Sequence, residues 1–310
     1  MFRLGRSRKL AAPVVAVVLG LGLNVVQADA APVALSCGAV VTTSIVLSAD
    51  IGPCQDSAII VGADNVTIDL NGHQLFGTGG TVVIHQAAGV FSDHHTGVVV
   101  TNGTVHDMYH GVRIRAGSNN LVTRMTVRDN AGGDGVDIES STDNVVSFNT
   151  VFHNSGFAGM TTFNANSLPG LTSARNTFTD NLVYANSTSG ITVESGTGHI
   201  VRRNQIVSNT RDGVALYSGV SGITVESNQI SSSGANGINV RAGANANIVR
   251  FNQVTRSAGR GIQVAGQSNQ ILRNGASANL VDLLDTNPTC DANVWSGNQF
   301  GTASPACTQG

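Results

Sequence analysis

Apolar and polar residues alternate with period two in short runs that recur along most of this 310-residue chain. Val112-Arg113-Ile114-Arg115, Val136-Asp137-Ile138-Glu139, Ile191-Thr192-Val193-Glu194 and Ile238-Asn239-Val240-Arg241 each read as a half-buried strand, one face inward and one outward. Each run follows a glycine of one series: Gly89, Gly111, Gly135, Gly159, Gly190, Gly213, Gly237 and Gly261. The intervals are 22, 24, 24, 31, 23, 24 and 24 residues, so one unit carries an insertion of about seven and the others agree closely.

Most units hold two further short apolar clusters, such as Ile248-Val249 and Val254 after Gly237, separated by an asparagine-bearing corner. Helix-length apolar stripes are absent, and 37 glycines with six prolines suit many tight corners. Three short strands in a turn of about 23 residues predict an all-β chain, a parallel β-helix of about ten coils. The corner position is Asn149, Asn181, Asn204, Asn228, Asn252 and Asn274, preceded in the first units by Gly103 and Met125. Asparagine tolerates a left-handed corner, and stacked amides can bond from coil to coil, so these residues are expected to hold the scaffold.

The ends differ from the repeat. Residues 1–30 combine Arg3, Arg6, Arg8 and Lys9 with an apolar run from Leu10 to Val26 and Ala28-Asp29-Ala30, the pattern of a cleaved signal peptide. The expected mature chain, 31–310, comprises an N-terminal cap to about 58, coils over about 59–285 and a C-terminal cap from about 286. Nothing else is apolar enough to span a membrane, and the protein is expected to be secreted or extracytoplasmic and monomeric. Cleavage leaves 13 basic against 18 acidic residues, a balance that argues against nucleic acid as a partner. It also removes the only lysine, Lys9, and with it any lysine base. Export favours disulfides, and the positions of the four cysteines favour Cys37 with Cys54 and Cys290 with Cys307, one staple at each end.

The glycine-started repeat, the asparagine corners and the segment Asn65-Val66-Thr67-Ile68-Asp69-Leu70-Asn71-Gly72-His73 resemble the secreted right-handed parallel β-helix proteins of the pectate-lyase-like superfamily, most closely the group with NosD-like repeats. The resemblance spans about residues 55–285. It implies the fold, and an activity drawn from a range of polysaccharide lyases, hydrolases, epimerases and structural proteins.

In register, residues two after each glycine stack as Phe91, Arg113, Asp137, Thr161, Thr192, Ala215, Asn239 and Gln263. Residues four after it stack as Asp93, Arg115, Glu139, Phe163, Glu194, Tyr217, Arg241 and Ala265. These outward columns concentrate charge in the coils from Gly89, Gly111 and Gly135. Either Arg113 pairs with Asp137 and Arg115 with Asp93 and Glu139 on a solvated surface, or the patch is a saccharide groove. In the groove, Arg113, Arg115, Asp137, Glu139 and His106 are the catalytic candidates. Asp93, Arg128, Phe163, Glu194, Tyr217 and Arg241 would bind sugar, with the insertion around Leu168-Pro169-Gly170 as a wall.

A third column stacks His106, Arg128, Phe152 and Tyr184, with Asp107, Asp129 and His153 at the adjoining corner. Asp107 and Asp129 are candidate ligands for a divalent ion such as calcium. His85, His94, His95, His106 and His110 cluster in sequence and raise acid-base or metal chemistry as alternatives. The family resemblance implies tests that the chain fails: it has no Asp-Asp pair, no Gly-His-Gly turn and no Asp-Pro-His-Glu stretch. The expectation is a protein that binds an extended polysaccharide along its outer face. The alternatives are a polysaccharide lyase, with an arginine base and calcium, or a uronate epimerase, and a structural envelope or NosD-like metal-handling protein.

Overall fold

A computed structural model describes residues 31–79 and 87–310. The predicted signal peptide and His85 lie outside the described residues. The glycine-started strands line up in one parallel sheet of twelve strands, from Ala39–Val41 to Ala303–Ser304. The remaining strands complete each coil, so the ten coils expected become about eleven. At about 4.8 Å per coil the rod is about 50 Å long.

Register follows the glycine count. Asp137 stands opposite Arg113 on one side and Thr161 on the other, and Glu139 lies between Arg115 and Phe163. His106, Arg128, Phe152 and Tyr184 stack as expected. Inward residues of every coil meet along the axis, and Val112, Ile114, Val136, Ile138, Val127 and Val151 are fully buried. Each such side chain contributes about 1.5–3 kcal/mol by leaving water.

The repeated glycines are there for lack of space. A Cβ on Gly135 would come within 2.6 Å of both Val151 Cγ1 and the carbonyl oxygen of Gly159, with no room to move. The series therefore marks where each coil's backbone closes onto its neighbours.

The asparagine column is continuous, with amide-to-amide bonds of 2.9–3.0 Å from Asn149 through Asn181, Asn204, Asn228, Asn252 and Asn274 to Asn298. One correction concerns conformation. The left-handed residue is the one before each asparagine: Phe148, Asp180, Arg203, Ser227, Phe251 and Arg273 have φ of 52–59°. That turn aims the asparagine inward, where its amide bonds both the next amide and a core carbonyl, as Asn228 Nδ2 does with Val201 O at 2.9 Å. Two further ladders accompany it: Asn130, Asn154, Asn186 and Asn209, and Asn120, Asn144 and Asn176 running on to His199. Burial pushes the His199 pKa down to about 4, so this rung is a neutral imidazole whose Nδ1 accepts the Asn176 N–H.

Cys37 bonds to Cys54 and Cys290 to Cys307, with Cα separations of 5.5 and 6.1 Å. Strand pairing runs on into both end segments, Ala39–Val41 pairing with Ile59–Val61 and Val294–Ser296 with Gln270–Leu272. Among the described residues no helix is long and apolar enough to cross a membrane.

Candidate functional site

The strands His110–Arg115, Val136–Glu139 and Ala158–Phe163 lie side by side in the twelve-stranded sheet. The turns that lead into them contribute Tyr109, Gly132, Gly133, Asp134 and Phe157 to the rim of a cleft of about 360 Å³. Arg113, Asp137, Glu139, Phe163 and Glu194 line it from the sheet, and His110 joins them. Five residues predicted from the outward columns thus meet in one place.

Their environment differs from the solvated surface weighed above. Asp137 is 1% exposed and Glu139 2%, although strand alternation points both outward. Thr161, Thr192 and Ala215 in the same column are also fully buried, so cover over this column is a property of the coil. Placing carboxylates under that cover costs several kcal/mol each unless they are paired or protonated.

The pairing is diagonal. Arg113 Nε donates to Glu139 Oε1 at 2.5 Å and stands 3.8 Å from Asp137 Oδ2, so the expected pairing of Arg113 with Asp137 is the weaker contact. Arg115 pairs as expected, with Nη1 donating to Asp93 Oδ2 at 3.0 Å and Nε 3.8 Å from Glu139 Oε2. Its Nη2 donates to Ser167 Oγ at 3.2 Å, which ties the insertion to the edge of the charged patch.

Asp134, Asp137 and Glu194 are held toward their protonated forms. Burial, reinforced by the Glu139 and Asp134 charges, pushes Asp137 well above the usual carboxyl range. Burial also raises Asp134 to about 7, opposed by the Ala158 N–H at 2.7 Å and assisted by Glu194 and Glu139. Glu194 is raised by burial against the pull of Arg241. Burial, then Arg113, pushes His110 down to about 3, leaving a neutral ring. Its Nδ1 lies 3.4 Å from Asp137 Oδ2 without a hydrogen bond. Asp137 Oδ1 and Arg113 Nη1 are likewise buried and unpartnered. A proton-holding carboxyl, a neighbouring carboxylate and unsatisfied donors at one cleft floor are the components of general acid-base catalysis.

Tyr217 borders an adjoining cleft of about 320 Å³ that shares Gly132 and Phe157 with the first. The Arg241 guanidinium lies 3.7 Å from the Tyr217 ring centroid and 3.6 Å from Asp212 Oδ2. His106 and Arg128 belong to a different sheet from the cleft strands. His106 bonds Asp107 Oδ2 at 2.7 Å and Gln74 Oε1 at 3.0 Å, and Arg128 donates to Asp129 Oδ2 at 2.6 Å. Asp107 and Asp129 therefore each give an oxygen to the residue before them. Among the described residues no three His, Cys, Asp or Glu side chains gather as a metal site. The histidines disperse too: His94 pairs with Asp93 at 2.9 Å and His95 with Asp64 at 3.1 Å.

Asp134, Tyr109 and Phe157 escaped the sequence reading. Asp134 occupies the slot just before a repeat glycine, shared with His110 and Asp212, and a count of that column would have found it.

Residues 49–230 and 170–304 match the family model for the right handed beta helix region. In fold the chain is similar to the periplasmic alginate epimerase AlgG, at 15% identity and a TM-score of 0.63 over 86% of this chain and 70% of that one. It is also similar to the A-module of the Azotobacter vinelandii mannuronan C-5 epimerase AlgE6, at 12% identity and a TM-score of 0.64 over 87% and 83%. The Dettilon tailspike protein aligns at 17% identity and a TM-score of 0.66 over 85% of this chain and 60% of its own. A search of curated proteins gives no match. Because the family match runs from residue 49 to residue 304, the chain belongs to the right-handed β-helix family.

Proposed function

We propose that this protein binds an extended polysaccharide along the sheet of glycine-started strands and processes it by proton transfer in the carboxyl cleft. The observation that carries this reading is the burial of Asp134, Asp137 and Glu139 beneath one open cleft, with Asp137 Oδ1 and His110 Nδ1 left unpartnered. The scaffold does not require a carboxyl at Asp137, since that position becomes Ala215, Asn239 and Gln263 in later coils. Solved structures of similar fold include epimerases acting on alginate and mannuronan, which supports a polysaccharide partner. The amino-terminal pattern of 1–30 and the two disulfides support an extracytoplasmic location.

Asp137 is the proton donor of this reading, since its surroundings favour the neutral acid. Arg113 fixes Glu139, and Tyr109, Phe157 and Phe163 supply rings at the rim against which a sugar can pack. Incubating the protein with a polysaccharide panel and following chain length tests this. Asp137→Asn keeps the shape and removes the acid, so turnover should fall at least about 100-fold, within the range ascribed to general acid catalysis, with no loss in melting temperature. Full activity in Asp137→Asn would exclude this cleft as the reaction centre.

A further inference from the structure

The charge inventory of the cleft identifies its substrate class. Four carboxyl groups line it, from Asp134, Asp137, Glu139 and Glu194, against the single guanidinium of Arg113. That guanidinium is already committed to Glu139 at 2.5 Å and stands 3.8 Å from Asp137. Nearby arginines are committed too: Arg115 to Asp93 and Ser167, and Arg241 to the Tyr217 ring beside Asp212. Arg211 borders the adjoining cleft, and the chain's one lysine, Lys9, falls within the predicted signal peptide. His110 is neutral.

A uronate unit entering this cleft would bring a further anion to a site whose burial already holds Asp134, Asp137 and Glu194 toward their neutral forms, and the Nε of its one guanidinium is taken by Glu139. Like charges in a water-poor site repel more strongly than in bulk solvent. A sugar bearing only hydroxyl groups fits what is present: carboxyl oxygens accept hydroxyl protons, and the unpartnered Arg113 Nη1 donates to a hydroxyl oxygen.

Resting on the polysaccharide reading above, we infer that the cleft takes an uncharged glycan and that its reaction is glycosidic hydrolysis. Elimination and C5 epimerisation both draw on a uronate carboxyl to acidify the neighbouring C–H, and an uncharged sugar lacks it. In hydrolysis the Asp137 carboxyl gives its proton to the glycosidic oxygen as the bond from that oxygen to the anomeric carbon breaks, the bonding pair staying on oxygen. A water molecule adds through its oxygen to the anomeric carbon, and a second carboxylate of the cleft takes the proton that the water gives up.

Matched polymers isolate the charge. Polygalacturonate and alginate are compared with their carboxyl-reduced forms, which keep the linkages and lose the anion, beside a panel of neutral glycans. Binding, new reducing ends and the ultraviolet absorbance of unsaturated uronates are recorded. The expected result is binding and new reducing ends with uncharged polymers, at least tenfold weaker binding of native polyuronates, and no unsaturated product. Equal or stronger binding of the native polyuronates, or unsaturated product from them, overturns the inference while leaving the polysaccharide reading standing. Failure to bind any glycan overturns that reading itself. The double variant Asp134→Asn, Glu194→Gln, checked for folding by its melting curve and assayed at pH 8, where Asp134 is ionised, should narrow the discrimination to under threefold. Unchanged discrimination would mean that charge is not its cause.

Discussion

The coils that begin at Gly111 and Gly135 and those that begin at Gly213, Gly237 and Gly261 are built alike inside and differently outside. Val112, Ile114, Val136 and Ile138 in the first group match Val214, Leu216, Ile238, Val240, Ile262 and Val264 in the second, all fully buried. At the outward column the first group has Arg113 and Asp137, the second Ala215, Asn239 and Gln263. Ala215 and Asn239 are themselves buried, so both groups offer a covered position at that point. Only the first group fills it with charge. Because the scaffold folds without ionisable groups there, Arg113 and Asp137 point to chemistry more than to stability.

The largest effect should come from the part that the two groups share. Asn228 donates from its backbone N and from Nδ2 to Asn252 Oδ1, and its own Oδ1 accepts the N and Nδ2 of Asn204. Asn228→Leu orphans these buried groups and should cost about 3–5 kcal/mol in urea unfolding. A loss below about 1 kcal/mol would remove the ladder from the account of stability.

Next comes a substitution confined to the charged group. Asp134 has a folded pKa of about 7, above its ordinary 3.8. Below about pH 4 folded and unfolded chains are both protonated, and the residue carries no penalty. Between about 4 and 7 the unfolded chain ionises first, so stability falls as pH rises, and above 7 the full penalty remains. Asp134→Asn should therefore nearly match the parent at pH 4 and exceed it by about 3–4 kcal/mol at pH 8. An advantage independent of pH would contradict the buried-acid assignment.

The smallest effect separates Arg115 from Arg241. The hydrogen bonds of Arg115, to Asp93 and Ser167, are partly exposed and its approach to buried Glu139 is long, so Arg115→Ala should cost about 1 kcal/mol or less. It also frees the insertion at Ser167, and glycan affinity should drop several-fold. Arg241→Ala, which unstacks Tyr217 in the adjoining cleft, should affect affinity less. The reverse order would move the main binding surface toward the later coils.

Much of this contrast was legible in the sequence. Strand alternation and the glycine interval gave the columns, and Arg113, Asp137, Glu139, Phe163 and Glu194 meet where the count put them. Burial was not legible, because alternation says which way a side chain points and nothing of what turns fold over it. For the same reason Phe157 and Asp134, carried on turns, were missed. His106 and Arg128 were read as neighbours of the patch, but strand order in the coil puts them in another sheet. The corner asparagines were found for a partly wrong reason. Their amides stack as expected, but the left-handed backbone falls one residue earlier, where Phe148, Arg203 and Phe251 show that side-chain type matters little.

The central claim is that the coils carrying the carboxyl cleft, and not the later coils, receive the glycan. Hydrogen–deuterium exchange with and without a bound polysaccharide tests it directly, because the two groups fall in separate peptides. The account predicts slower exchange at residues 109–115, 131–139 and 156–163 on binding, and no change across 237–265. Protection confined to 237–265, or to the sheet that carries His106 and Arg128, would contradict it.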